Sequence, residues 1–443
     1  MVIAAASSMS CLLIRFCGPD IPGGRDSRRP TEQGKFMTLD VAAHFLDDIR
    51  PVARNAPPSG IVEVHLEGLR RPGTAKLWVG EGSLPTPDNI RDAAIRSLMA
   101  GETFYTHQAG LPELREALCR YHDRLYGPFG GRPADVNRFI VTASGMHAIQ
   151  MAASLVAGSG DEVIVPTPAW PNAPAAAALC GAAVREVPMR FGTAGWDLDP
   201  DDLKAAITPR TRAIFVNSPS NPSGWVASRQ RLASIVDIAR HHGLWIVADE
   251  VYGRFCYLDG LAVAPSFHEV AEPEDRLIFV NTFSKNWAMT GWRIGWIEVP
   301  AILNATVQNL VQYTSSGTAV FMQRAAVEAL DNGEDFLAFQ IARARQNRAT
   351  VIAALAAAGG VTLSPPDGAF YLFFSVEGET DTRQLCLDMV REAGVGLAPG
   401  TAFGEGGERF MRLCFAGDPE EITAALGRLS AWLATRRHGA STR

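Results

Sequence analysis

From residue 139 onward the chain repeats one pattern: a short, unbroken apolar run, then a longer stretch with helical spacing. Phe139-Ile-Val141 precedes a helical segment from Met146 to Val156, and Glu162-Val-Ile-Val165 precedes a proline-bounded turn at Pro166 to Pro174 and an Ala-rich helix. Ala213-Ile-Phe-Val216, Leu244 to Ala248, Leu277-Ile-Phe-Val280 and Ile294 to Val299 continue the series. Strands this continuously apolar, alternating with helices, predict a mostly parallel sheet covered on both faces.

The flanking regions read differently. Thr38 to Arg50 has helical spacing up to a break at Pro51, Ile61 to Leu66 fits a strand or a short helix, and Leu77-Trp-Val79 runs into the loop Gly80 to Pro87. Ile90 to Ala100 is helical and closed by Gly101; a loop from Tyr105 to Gly110 then leads into a helix with Pro112 near its start. After Pro300 the spacing predicts long helices over Ile302–Leu330 and Phe336–Ala358. A smaller α/β unit follows, with strands at Ala369–Phe374 and Phe410–Phe415 and helices at Thr382–Ala393 and Pro419–Thr435.

Composition narrows the function. With 443 residues, 47% of them hydrophobic, the chain can bury a large core in about two or three domains. Its charges, 41 − 47 = −6, form no long like-charge block, so neither a nucleic acid nor a membrane surface is an expected partner. No apolar run reaches the roughly 18 to 20 residues that span a bilayer. The seven cysteines (Cys11, Cys17, Cys119, Cys180, Cys256, Cys386, Cys414) are scattered, odd in number and without a Cys-x-x-Cys pair. That pattern predicts free thiols in a reducing, cytoplasmic compartment and no metal site. Residues 1–36 start apolar, are cut by Arg15 and turn Gly, Pro and Arg-rich, which predicts a disordered extension; a transit peptide is the alternative, and Met37 is the expected start of the ordered part.

The candidate chemistry centres on Asn281 to Trp296. Lys285 stands among hydroxyls and aromatics, a setting that penalises the ammonium form and leaves an amine able to form a Schiff base with an aldehyde cofactor. Thr282, Ser284 and Arg293 supply two hydroxyls and a planar cation suited to a phosphate dianion, so the group they point to is pyridoxal phosphate. Other pieces sit where strands end, as ligand sites of open α/β sheets do. Gly145 and Met146 offer free amides at a helix start, Trp170 offers an aromatic plane, and Asn221 in Asn217 to Gly224 offers an amide donor to a phenolate oxygen. Asp249, closing an apolar run, needs a cationic partner such as a protonated pyridine nitrogen, and Tyr252 follows in the same turn. Each piece alone has a plainer reading, as a surface lysine, an ordinary turn, a core tryptophan or a helix cap.

Taken in order, Tyr105 to Gly110, Trp170, Asn221-Pro-Ser-Gly224, Asp249-Glu-Val-Tyr252, Ser284-Lys285, Arg293 and Arg412 resemble the fold-type I pyridoxal phosphate enzymes of the class I/II aminotransferase family. The resemblance covers the chain from about residue 37 to its end. It implies a large cofactor-binding domain over 86–330 and a small α/β domain from 37–85 and 331–443. It further implies that Lys285 carries the cofactor and moves a proton, Asp249 pairs with the pyridine nitrogen, Asn221 and Tyr252 bind the phenolate oxygen, and Trp170 stacks on the ring. Thr282, Ser284, Arg293 and the backbone of Gly145 and Met146 would hold the phosphate, joined by Tyr105 from the other subunit of a homodimer. Arg412 would clamp the substrate α-carboxylate, with Gly80 and Asn221 beside it.

The implied activity is amino-group transfer between an α-amino acid and a 2-oxo acid by ping-pong kinetics. Two features depart from the family: Ser144-Gly-Met146 lacks the usual polar third residue, and Gly80-Glu-Gly82 replaces the common Gly-Glu-Pro. No second arginine stands out for a dicarboxylate, which favours a neutral or aromatic donor. A lyase, decarboxylase or synthase on the same fold is the nearest alternative. A regulatory module would want a DNA-binding domain ahead of Met37, and no Gly-x-Gly-x-x-Gly or Gly-x-x-x-x-Gly-Lys-Ser/Thr motif supports a dehydrogenase or phosphotransferase.

Overall fold

The computed structural model describes residues 45, 47–56 and 58–440, with side chains to 436. The chain divides into two units, Met1–Ile49 and Arg50–Arg443. The extension over 1–36 and most of the helix expected over 38–50 lie outside the described residues.

The larger unit is built on a seven-stranded sheet: β1 (Phe139–Thr142), β2 (Glu162–Thr167), β3 (Ala183–Pro188), β4 (Thr211–Asn217), β5 (Trp245–Asp249), β6 (Leu277–Thr282) and β7 (Gly295–Glu298). In space the order is β1-β7-β6-β5-β4-β2-β3. β7 runs antiparallel to both its neighbours, and the pairs from β6 through β5, β4 and β2 to β3 are parallel. Every residue of β2 and β6 is buried, which is why these strands read as continuous apolar runs. Local signals set the helix ends: Ser144 and Ser228 accept from the third amide of the helices they precede, and Gly243 closes Arg229–His242 in a left-handed conformation.

A second, antiparallel sheet holds β8 (Val361–Leu363), β9 (Tyr371–Val376), β10 (Ala398–Pro399) and β11 (Phe410–Cys414), in the order β8-β9-β11-β10. Arg412 lies opposite Phe373 on one side and Ala398 on the other. The 25-residue helix Glu334–Ala358 leads into this sheet, its first turn carrying Glu334 and Asp335 where negative charge suits the helix dipole.

Some expectations change. Ile61–Leu66 is helical, within Gly60–Leu69. The single helix expected over 302–330 is two, Asn304–Thr314 and Val320–Asn332, because Ser316 and Gly317 take positive φ between them. β3 was not legible as a strand: it is an edge strand whose exposed Arg185 and Glu186 break the apolar run. Among the described residues no helix is long and apolar enough to cross a membrane.

Candidate active site

Polar residues collect where the parallel strands end. Asn217 closes β4 and Asp249 closes β5 as register partners, Thr282 closes β6, and Gly145 opens the helix after β1. Beside them is a cavity of about 550 Å³, lined by all the residues expected at the site except Tyr105.

Asp249 is buried, and its carboxylate receives one hydrogen bond, from the Val251 amide at 3.3 Å. Burial pushes its carboxyl up to about 7. Lys285 donates through Nζ to the Gly80 carbonyl at 2.9 Å, and burial brings its amine down to about 8. Nζ lies 5.7 Å from the Tyr252 ring centre. Burial also drives the Tyr252 phenol upward, so this tyrosine holds its proton.

The loop after β4 is locked by Asn217, whose Oδ1 accepts from the Asn221 amide and whose Nδ2 donates to the Asp249 carbonyl. Asn221 Oδ1 in turn accepts from Arg412 Nη1 at 2.8 Å. That bond fixes the orientation of the amide and leaves its Nδ2 as a donor. Arg412 is buried, donates through Nη2 to the Trp78 carbonyl, and lies 4.5 Å from the Tyr371 ring centre and 5.0 Å from that of Phe403. A buried guanidinium held only by carbonyl oxygens and ring faces still needs an anion.

At the other end, Thr282 Oγ1 and Ser284 Oγ are 2.9 Å apart. The Ser144 hydroxyl is taken by the His147 amide, so Gly145 and Met146, the first two residues of a 12-residue helix, face the cavity with their amides unused by the cap. Arg293, in a left-handed conformation, closes this end. Half-buried Trp170 lines the cavity and also packs against the core around β2, so its two readings meet in one residue.

Tyr105 is 93% exposed and lines no part of this cavity. In the other direction, Tyr371 belongs to the site although its sequence reads only as strand core. Its hydroxyl is 2.8 Å from that of Tyr252, and a Cβ at Gly80 would come within 2.5 Å of it, so the glycine is required for the loop to close over the tyrosine. No local signal marks Tyr371, because its partner is 119 residues away.

A second buried cluster competes for notice. His122, His268 and Glu298 bring ligand atoms within 4.8 Å of one another. His122 Nε2, however, accepts from Trp296 Nε1 at 3.2 Å, which puts the ring proton on Nδ1, the atom facing Glu298. Arg138 already donates to that carboxylate at 2.9 Å. The trio therefore has neither the free lone pair nor the free charge that a metal ligand set needs.

The chain matches the family model for aminotransferase class I and II over residues 74–429. It is 32% identical to an aspartate aminotransferase of Pyrococcus horikoshii over 374 residues, covering 84% of this chain and 93% of that one. Among solved structures, a mutant aspartate aminotransferase of Thermus thermophilus superposes with a TM-score of 0.79 at 32% identity, covering 86% of this chain and 99% of that one. An aromatic aminotransferase of Pyrococcus horikoshii gives 0.77 at 31% identity, covering 84% and 99%. The shared fold is the fold-type I architecture, with its mostly parallel sheet flanked by helices. The chain therefore belongs to the class I and II aminotransferase family and is a pyridoxal phosphate-dependent aminotransferase.

Proposed function

We propose that this chain moves an amino group from an α-amino acid to a 2-oxo acid with Lys285 as its reacting base and Arg412 as its carboxylate clamp. The observation that carries the reading is the convergence, on one cavity, of charged groups with hydrogen bonds but no ion pair: the half-buried Lys285 amine, the buried Asp249 carboxylate and the buried Arg412 guanidinium. They fit pyridoxal phosphate and its substrate. Asp249, with one weak protein hydrogen bond, suits a protonated ring nitrogen; Asn221 Nδ2 and the Tyr252 hydroxyl suit the phenolate oxygen. Thr282, Ser284, Arg293 and the amides of Gly145 and Met146 suit the phosphate, and Trp170 suits the ring face.

When bound, the cofactor supplies an aldehyde that condenses with amines and a protonated ring that withdraws electrons. The chain does the rest. Arg412 orients the substrate by its α-carboxylate, backed by Asn221 and the Trp78 carbonyl. Lys285 Nζ takes the α-proton; an amine whose proton is lost near 8 rather than 10.5 is a competent base close to neutrality. Tyr371 holds the Tyr252 hydroxyl in place. One clamp and one base serve both carboxylic substrates, so donor and acceptor occupy the cavity in turn, which gives ping-pong kinetics.

Two further parts belong to this reading. Within the unit from Arg50 onward, the described residues up to 85 and from 331 on form the small domain around 86–330, a division supported by the pairing of Ala75–Lys76 with Val395–Gly396. A second copy completes the site with its Tyr105: Met99, Phe104, Tyr105 and Tyr313 are each more than four-fifths exposed, a surface suited to a homodimer. The cysteines Cys119, Cys180, Cys256, Cys386 and Cys414 are free thiols, in keeping with a cytoplasmic enzyme. The names of similar proteins cover aspartate, aspartate/prephenate, arginine–pyruvate and aromatic aminotransferases, so the family alone does not choose the substrate.

The test is a half-reaction. An amino acid added without acceptor should convert the bound cofactor to its amine form with release of the 2-oxo acid alone. Stoichiometric ammonia or carbon dioxide would contradict transamination.

A further inference from the structure

Among the described residues, every charge lining the cavity has a proposed role. Its charged side chains are Asp249, Lys285, Arg293 and Arg412, engaged in turn with the ring nitrogen, the reacting amine, the phosphate and the α-carboxylate. None is left for the part of a substrate that distinguishes one amino acid from another.

The wall next to the clamp is tied to it directly. Arg412 Nη2 donates to the Trp78 carbonyl, which sets Trp78, Val79 and the cavity-lining face of the helix Gly60–Leu69 beside any substrate held by its carboxylate. From that helix Ile61, Val62 and His65 line the cavity. The Trp78 indole is fixed between two glycines: a Cβ at Gly68 would come within 2.4 Å of the ring, and one at Gly396 within 2.0 Å. Its Nε1 donates to His65 Nδ1 at 3.2 Å, which places the proton of the neutral imidazole on Nε2. Among the described residues the wall is thus three aliphatic side chains, a clamped indole and a ring N–H, with no carboxylate, lysine or arginine.

We infer that the amino donor carries a neutral, apolar side chain, aliphatic or aromatic, and is neither dicarboxylic nor basic; the inference rests on the roles proposed for Lys285 and Arg412. A distal carboxylate or guanidinium against this wall would be desolvated without a partner, whereas an apolar side chain displaces water from Ile61, Val62 and Val79.

The test mixes cofactor-loaded enzyme with single donors and no acceptor, following conversion of the cofactor's aldehyde band. L-phenylalanine or L-leucine should react with a second-order rate constant at least about 100-fold above those of L-aspartate and L-arginine, the factor expected for stranding a buried charge. Aspartate or arginine matching the neutral donors would overturn the inference and leave transamination standing, including the case in which a second copy supplies the missing charge. No conversion with any donor would overturn both. Val62, 48% exposed, offers a variant that the fold should tolerate. In Val62→Arg the aspartate-to-phenylalanine ratio should rise at least about tenfold; an unchanged ratio with an intact aldehyde band counts against the wall.

Discussion

Strand β7 joins two clusters of buried charge that behave in opposite ways. Its first residue, Gly295, packs against Gly145 and Asn281 at the active-site end, and its last, Glu298, sits among His122, His268 and Arg138. Burial acts on both. At Glu298 it pushes the carboxyl upward, but His268, His122 and Arg138 together outweigh it and hold the group at about 2. At Asp249 and Lys285 nothing among the described residues outweighs it, and the carboxyl rises to about 7 while the amine falls to about 8. The difference is whether the partners lie inside the protein. A cluster that satisfies itself supports the fold, and one left in deficit is set for a ligand.

The comparison breaks first at Lys285. Lys285→Ala should lower kcat by about 10,000-fold or more with the fold intact, since among the described residues no other amine lines the cavity; a modest loss measured in steady-state assays would remove the proposed base. Glu298→Ala should do the reverse. It strands Arg138 and should cost about 3–5 kcal/mol of stability in denaturant titrations, yet leave kcat/KM of the folded enzyme within about threefold.

Asp249→Asn separates the clusters by pH. In the cofactor-free fold Asp249 keeps its proton up to about 7, whereas the unfolded chain loses it near 4. Folded-state stability therefore falls as pH rises through that window, and the asparagine variant should be the more stable protein at pH 8, by an amount on the order of 1–3 kcal/mol, while losing activity. Thermal melts across pH 4 to 8 check this; a variant less stable than the parent at pH 8 would show that Asp249 is already satisfied. The smallest effect belongs to Tyr371→Phe, which removes one hydrogen bond to Tyr252 and should lower kcat by about tenfold or less. A shift in the titration of the bound cofactor's visible band would separate loss of this bond from a packing defect.

What could be read in the sequence followed from where each residue stands. Strands buried on both faces announce themselves as apolar runs, and a polar residue ending such a run, such as Asp249 after Leu244 to Ala248, is conspicuous. Lys285 stood out differently, as a lone lysine among hydroxyls, small residues and aromatics. Tyr371 was not, since an aromatic in Ala369 to Phe374 looks like core and its function depends on meeting Tyr252 across the fold. The Trp78 carbonyl and the His65 ring were equally hidden, because each acts through a bond to a residue that the sequence does not single out. Tyr105 is exposed on this chain, and the role proposed for it calls for a second copy.

The chain contains four lysines, Lys35, Lys76, Lys204 and Lys285, so the central claim has a direct test. Purified protein saturated with pyridoxal phosphate is reduced with borohydride, digested and mapped by mass spectrometry. The account predicts one label per chain, on the Lys285 peptide. Label on Lys76 or Lys204 with Lys285 unmodified, or no label at all, would contradict it.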